Sequence, residues 1–201
     1  MARVDLTEPY AIRQLRESVR DSLRSHGEEV VALRLFHAAS DPNAIRCWCY
    51  DDVYKGIEKK DCPDCLGTGF QGGVKDAFRM WAMFTTSSNN EETRPRGQFQ
   101  PMQMDVQMEG QPTLIENDIL ARVSRWSRKH EPLEISGFYV LDEMTIDSLR
   151  TGNDLAQIQT NIVGQRSRRA NRLDESHPVY DQAARLLAPD RPVPRIDGLR
   201  R

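Results

Sequence analysis

Cys62-Pro63-Asp64-Cys65-Leu66-Gly67-Thr68-Gly69-Phe70-Gln71-Gly72-Gly73 runs straight into Val74-Lys75-Asp76-Ala77-Phe78-Arg79-Met80-Trp81-Ala82-Met83-Phe84-Thr85-Thr86. The first half has the spacing of a metal knuckle. Two cysteines are followed by glycines, which let the backbone turn under an ion with positive φ and its amides aimed at sulfur. The second half is a long strand. Phe78, Met80, Ala82 and Phe84 fall on one side of it, and Arg79, Trp81 and Met83 on the other. With both faces partly apolar, it belongs in the middle of a sheet. Further short strands with turns between them give the fold expected for the whole chain. It is mainly β: an antiparallel β-sandwich or small barrel with an N-terminal helix, a four-cysteine zinc-knuckle insertion and a C-terminal arm.

A second cysteine pair, Cys47-Trp48-Cys49, lies upstream, with twelve residues between the pairs. The spacing is read as one tetrahedral, structural Zn²⁺ held by Cys47, Cys49, Cys62 and Cys65. Other arrangements compete with it. Two disulfides are one, although a C-x-C pair bridges poorly within itself. A redox C-x-x-C is another, but it lacks the strand and helix that flank such motifs. Four unlinked thiols are the third. The pair at 47 and 49 is tighter than usual, so His37, Asp51 or a group from a neighbouring subunit is an alternative ligand. Trp48, Tyr50 and Tyr54 are expected to pack around the metal loop.

Upstream, Ile12, Leu15, Val19 and Leu23 repeat at helical spacing, with Thr7 a candidate cap, Pro9 in the first turn and Gly27 a stop. Val30 to Phe36 has strand character, and Asp41-Pro42-Asn43 turns the chain. Downstream, Ser87 to Gly97 reads as an exposed loop. Met102, Met104, Val106 and Met108 alternate with polar residues as in a half-buried strand. Ile119 to Trp126 and Phe138 to Met144 are further strands, and His130 sits in the polar turn between them. Thr160 to Leu173 is an arginine-rich strand suited to a basic surface or a sheet edge. Ser176-His177-Pro178 opens a short helix, and a proline- and arginine-rich tail follows from Asp190. The resulting divisions are 1–27 helix or arm, 28–46 first strand region, 47–73 zinc insertion, 74–175 sandwich or barrel, and 176–201 short helix and C-terminal arm.

The 201 residues are 38% apolar and 29% charged, with a mean hydropathy of −0.65. That is lean for a free-standing globule and suits a protein that completes its burial against partners. Net charge is −2, which gives no global nucleic-acid signature. The charge is divided, however. From residue 160 onward nine arginines oppose five acids, while the first 159 residues are net acidic. Such a division suits head-to-tail contact between copies. No apolar run approaches membrane length and no signal pattern opens the chain, so a reducing cytoplasm is expected, where thiolate–metal sites outlast disulfides. The sequence contains no phosphate-binding loop, nucleophile elbow, His-Glu-x-x-His or dinucleotide fingerprint. No catalytic or cofactor-binding residue is therefore expected beyond the four cysteines.

The run from Cys62 to Gly73, and the stretches Pro112 to Trp126 and Phe138 to Tyr180, resemble virion proteins of tailed bacteriophages, in particular head-to-tail connector (neck) components. Ser148-Leu149-Arg150-Thr151-Gly152-Asn153, Val163-Gly164-Gln165-Arg166 and His177-Pro178-Val179-Tyr180 carry the later part of the resemblance. The resemblance implies a non-enzymatic ring of six or twelve copies, stopper- or adaptor-like. Such a ring joins a portal or adaptor to the tail and helps retain packaged DNA without reading its sequence. It implies assembly in the host cytoplasm and residence in the virion neck, with no membrane contact. Three rivals stand beside it. One is a zinc-ribbon nucleic-acid-binding regulator. Another is a chaperone-like module, since Cys62–Gly69 resembles one of the four repeats of the DnaJ cysteine-rich domain. The third is an enzyme, which a turnover lost with a single side-chain substitution would reveal.

Overall fold

The computed structural model describes residues 9–54, 56–57, 62–86, 103–148, 162–182 and 195–196. Helix α1 spans Pro9–His26. It is followed by strands β1 (Glu28–Leu35), β2 (Tyr50–Asp51), β3 (Gly56–Ile57), β4 (Val74–Thr86), β5 (Gln103–Glu109), β6 (Ile119–Trp126), β7 (Pro132–Ser148), β8 (Ile162–Arg172) and β9 (Arg195–Ile196). The main sheet runs β6-β1-β4-β5-β8-β7-β9, and a further pairing of β6 with β7 closes six of its strands into an antiparallel barrel. Closure removes the open edges that would otherwise template aggregation. The small β2–β3 pair stands apart from this sheet. The expected helix, mainly-β class and small barrel are thus present, and β4 and β6 keep the bounds read from sequence. Thr7, the loop from Ser87 to Gly97 and nearly all of the tail after Gln182 lie outside the described residues.

Two strands depart from the sequence reading. β7 covers 17 residues, where only Phe138 to Met144 was expected. Pro132 and Gly137 look like breakers, but Pro132 opens the strand, where a missing N–H costs least. Gly137 instead gives room to the Arg172 guanidinium, whose Nε would lie 3.3 Å from a Cβ there. The arginine-rich β8 is no edge, because it lies between β5 and β7. Its residues Ile162, Gln165, Ser167 and Ala170 are buried, while Arg168 and Arg169 face outward.

The chain divides into two compact units. One comprises Met1–Val30, Met80–Glu116 and Leu141–Asn171; the other comprises Val31–Arg79, Asn117–Val140 and Arg172–Arg201. In the first unit α1 buries Ile12 and Leu23 and packs on β5. Arg16 Nε donates to the Ile162 carbonyl at 2.6 Å. Leu23 O accepts the Gly27 N–H at 2.7 Å and ends the helix. A Cβ on Gly27 would lie 2.5 Å from the Ala82 carbonyl oxygen, so only glycine fits there. Gln165 is almost fully buried and fully used. Its amide donates to the Glu109 and Pro112 carbonyls, each at 2.7 Å, and accepts from Leu114 N–H at 2.9 Å. Between Met104 and Val106 the β5–β8 register shifts. The bulge presents the Asp105 carboxylate to the Arg166 guanidinium, which donates to it through two nitrogens.

The second unit holds its own apolar core. Val31, Leu33 and Leu35 of β1, Ile119, Ala121 and Val123 of β6, and Ile135 and Phe138 of β7 pack with Leu66, Val179 and Tyr180. The Phe138 and Tyr180 rings meet edge to face at 4.7 Å, and the Tyr180 hydroxyl donates to Leu173 O at 3.2 Å. Asp118, nearly fully buried, accepts the Leu35 N–H at 2.8 Å and faces His37 Nε2 at 3.3 Å. Those bonds tie the end of β1 to the start of β6. The β6–β7 hairpin closes through a left-handed His130 (φ 57°), which is an exposed turn residue, as its position in the sequence suggested.

Candidate metal centre

All four cysteines belong to the second unit. Their sulfurs lie within 4.8 Å of one another, and all four residues are buried. Cys47 Sγ is 3.8 Å from Cys62 Sγ, and Cys49 Sγ is 3.4 Å from Cys65 Sγ. No disulfide joins them. The chain thus brings together the four residues expected as ligands, and together they can hold a metal ion. The alternative ligands lie elsewhere. His37 faces Asp118, and Asp51 Oδ1 accepts the Val53 and Tyr54 N–H groups at 2.7 and 3.1 Å.

The downstream knuckle forms because its backbone can take conformations that most residues avoid. Leu66, Gly67, Gly69, Gly72 and Gly73 all have positive φ. Only glycine suits two of these places. A Cβ on Gly69 would press to 3.0 Å from the Tyr50 ring, and one on Gly73 to 2.7 Å from Cys65 O. The turns aim backbone donors at sulfur. Asp64 and Cys65 N–H groups point at Cys62, and Gly67 and Gly69 N–H groups at Cys65. The upstream pair is held by a short antiparallel bridge. Cys47 N donates to Gly69 O and Gln71 N to Ile45 O, each at 2.9 Å, with Arg46 opposite Phe70. Cys47 and Cys49 then turn inward while the Trp48 between them stands out, which is how a one-residue spacer serves.

Electrostatics favour a cation at the centre. Burial pushes the Cys49 thiol strongly up, and the neighbouring thiols of Cys65, Cys62 and Cys47 add to the shift. Burial likewise raises Cys65, outweighing its two backbone donors. At Cys62 burial also works upward, but the N–H groups of Asp64 and Cys65 carry the thiol below its ordinary value. Four buried thiolates without a counter-charge would be untenable, so ionising all of them requires a metal to take the place of the protons.

The aromatics behave differently from expectation. Tyr50 is half-buried and lies beside Gly69 and under the Arg46 guanidinium, while Ile57 is the side chain that packs on the cysteines; Trp48 and Tyr54 are exposed. Trp48 touches the loop at its edge, its indole N–H donating to the Asp64 carboxylate. Two residues that the sequence reading passed over support the module. Arg46 lays its guanidinium 4.3 Å from the centres of both the Tyr50 and Phe70 rings. Gln182 Nε2 donates to Gly72 O at 2.7 Å and Asp64 O at 3.3 Å. Arg46 adjoins a ligand between two aromatics and was open to discovery. Gln182 lies more than a hundred residues from its partners, and no local pattern marks it.

Asp41 braces the segment that leads into the first pair. The Lys75 ammonium donates to its carboxylate; with the Ser40 hydroxyl and the His37 N–H it holds the Asp41 pKa down to about 2, against an ordinary 3.8. A carboxyl depressed by folding stabilises the fold above its unfolded pKa and loses that effect as the pH falls through the folded one. Asp41→Asn should therefore lower the melting temperature at neutral pH. The gap from the unsubstituted chain should shrink between about pH 4 and pH 2. Thermal melts across that range check it, and a gap independent of pH would refute the ion pair.

The sequence matches no model of a known protein family and no curated protein. Among the described residues no helix is long and apolar enough to cross a membrane.

Proposed function

We propose that this chain is a structural virion protein of a tailed bacteriophage, a ring-forming head-to-tail connector subunit, and that its cysteines hold one structural Zn²⁺. The observation that carries the reading is the closed cysteine shell. A tetrahedron with Zn–S near 2.3 Å has S···S edges of about 3.8 Å, and two of the cross-knuckle sulfur separations are 3.8 and 3.4 Å. Four thiolates fill such a sphere and leave no position for water, so the ion acts as a staple and not as a Lewis acid. A stapled, edge-free barrel suits a part that must hold its shape under load. The resemblance of the knuckle and the later stretches to neck components supplies the setting, and the divided charge supplies a means of head-to-tail association. In this reading the chain works by binding: to its own copies in a ring of six or twelve, to a portal or adaptor, and to the tail, with packaged DNA close by.

Imaging of the purified chain, and of the particles that contain it, tests the reading. Closed rings docked at a portal vertex are the expected result. A monodisperse monomer that never associates with virions would defeat it. The rival nucleic-acid regulator gains something from the exposed Trp48 and Tyr54, since aromatic rings stack on bases. The neighbouring Asp52 and Asp64 are also exposed, and they repel phosphate. A gel shift with duplex DNA that weakens with added salt would favour that rival.

A further inference from the structure

β7 outruns its neighbour β8. β8 ends at Arg172, and the next residue, Leu173, donates its N–H to the Phe138 carbonyl. Beyond it the chain turns away, with the His177 N–H donating to Asp174 O. β7, however, begins well before Phe138, at Pro132. One flank of this first part is paired with β6, from Trp126 opposite Pro132 to Arg122 opposite Gly137. The other flank lies past the end of β8. Arg172 Nη2 covers one point of it, donating to Ser136 O at 3.3 Å. β9 covers another, running parallel to β7 with Arg195 opposite Glu134 and Ile196 opposite Ile135. All of these residues belong to the second unit.

The cover is slight. A bare strand flank presents a row of donors and acceptors to any extended chain. β9 meets this one over two residues, in the parallel arrangement that is the weaker per residue. Twelve residues lie between Gln182 and Arg195, a length that fully extended spans roughly 40 Å. β9 can therefore leave the flank without pulling on Gln182, which is bonded to Gly72 O and Asp64 O. The register also states what the flank accepts. It sets arginine opposite glutamate and isoleucine opposite isoleucine. Glu134 Oε1 accepts Arg125 Nη2 from the β6 side at 2.6 Å, and a carboxylate has acceptor sites for a second cation.

We propose that the first part of β7 is a strand-docking site, held closed in the free chain by β9. Its partner is an extended peptide segment with a basic residue followed by a β-branched apolar one. Such a segment displaces β9 and adds its own main-chain bonds to β7, which is recognition by strand addition. The site would serve a lone chain as well as a ring subunit.

Hydrogen exchange and peptide binding on the full-length chain test it. Arg195→Pro with Ile196→Pro removes the donors that β9 brings, because proline has no N–H and does not continue a strand pairing. Exchange on the β9 flank of Glu134–Ser136 should then rise about 10-fold, the scale of one or two net hydrogen bonds. The probe is a synthetic peptide, Val193-Pro194-Arg195-Ile196-Asp197-Gly198. It should bind the proline variant about 10-fold more tightly than the unsubstituted chain, whose own β9 competes from its tether, and it should restore the lost protection. Should the prolines disturb the fold, Arg195→Glu sets like charges opposite each other and serves the same comparison. Exchange that is equal in the variant and unsubstituted chains would mean that β9 is no cover. A peptide that binds both chains equally, or neither, would overturn the docking site.

Discussion

Cys62→Ser should abolish binding of the proposed zinc ion and unfold the segment from Ile45 to Gly73. The expectation follows from how little else holds this segment. Apart from the bridge at Arg46 and Phe70 and the small β2–β3 pair, its regular structure among the described residues is turns, and many of those turns are aimed at sulfur. Cys62 is also the ligand best prepared for ionisation by backbone donors. Structural zinc sites contribute on the order of 10–16 kcal/mol in small zinc peptides, as much as the whole stability of an ordinary domain, about 5–15 kcal/mol. Damage should spread, because Leu66 belongs to the apolar core of the second unit and Gly73 O accepts the Phe36 N–H at 3.0 Å. Elemental analysis should fall from about one zinc per chain, the stoichiometry of a four-thiolate site, to none. Amide exchange should lose its protection across the segment. A variant that keeps its metal and its protection would refute the staple.

Phe138→Ala carries the second large effect. The ring is fully buried and lies edge to face on Tyr180, and the Phe138 carbonyl accepts Leu173 N–H at 2.8 Å. Truncating a buried phenylalanine costs about 3–5 kcal/mol, which for a chain of this length lowers the melting temperature by roughly 10 °C. Tyr180→Phe is the control. It keeps the ring and loses the hydroxyl's bonds, to Leu173 O and with the Phe138 backbone and the Arg172 side chain, each worth about 1 kcal/mol. Urea unfolding of both variants in zinc-replete buffer measures the difference. Equal losses would mean that the hydroxyl, and not the aromatic contact, holds this corner.

What the sequence disclosed follows from the range over which each signal acts. The knuckle was legible because its ligands, glycines and donors fall within twelve residues, and turn chemistry is local. β4 and β6 were legible because strand patterning is local as well. The extent of β7 was hidden, since Pro132 and Gly137 resemble breakers until a neighbouring strand and the Arg172 side chain give them a purpose. The place of β8 was hidden for a related reason. Four arginines suggest an exposed edge, whereas Arg166 is matched by Asp105 across a bulge that no sequence pattern announces. Barrel closure depends on β6 meeting β7, a pairing that follows from the whole sheet. At the metal centre, Trp48 looked like packing material because tryptophan usually is. Its position between two inward-turned cysteines sends it outward instead.

Native mass spectrometry of the purified full-length chain tests the central claim most directly, because it weighs metal and assembly in one spectrum. A closed oligomer of six or twelve copies with one zinc per chain is the predicted result. A metal-free monomer at every concentration would contradict it.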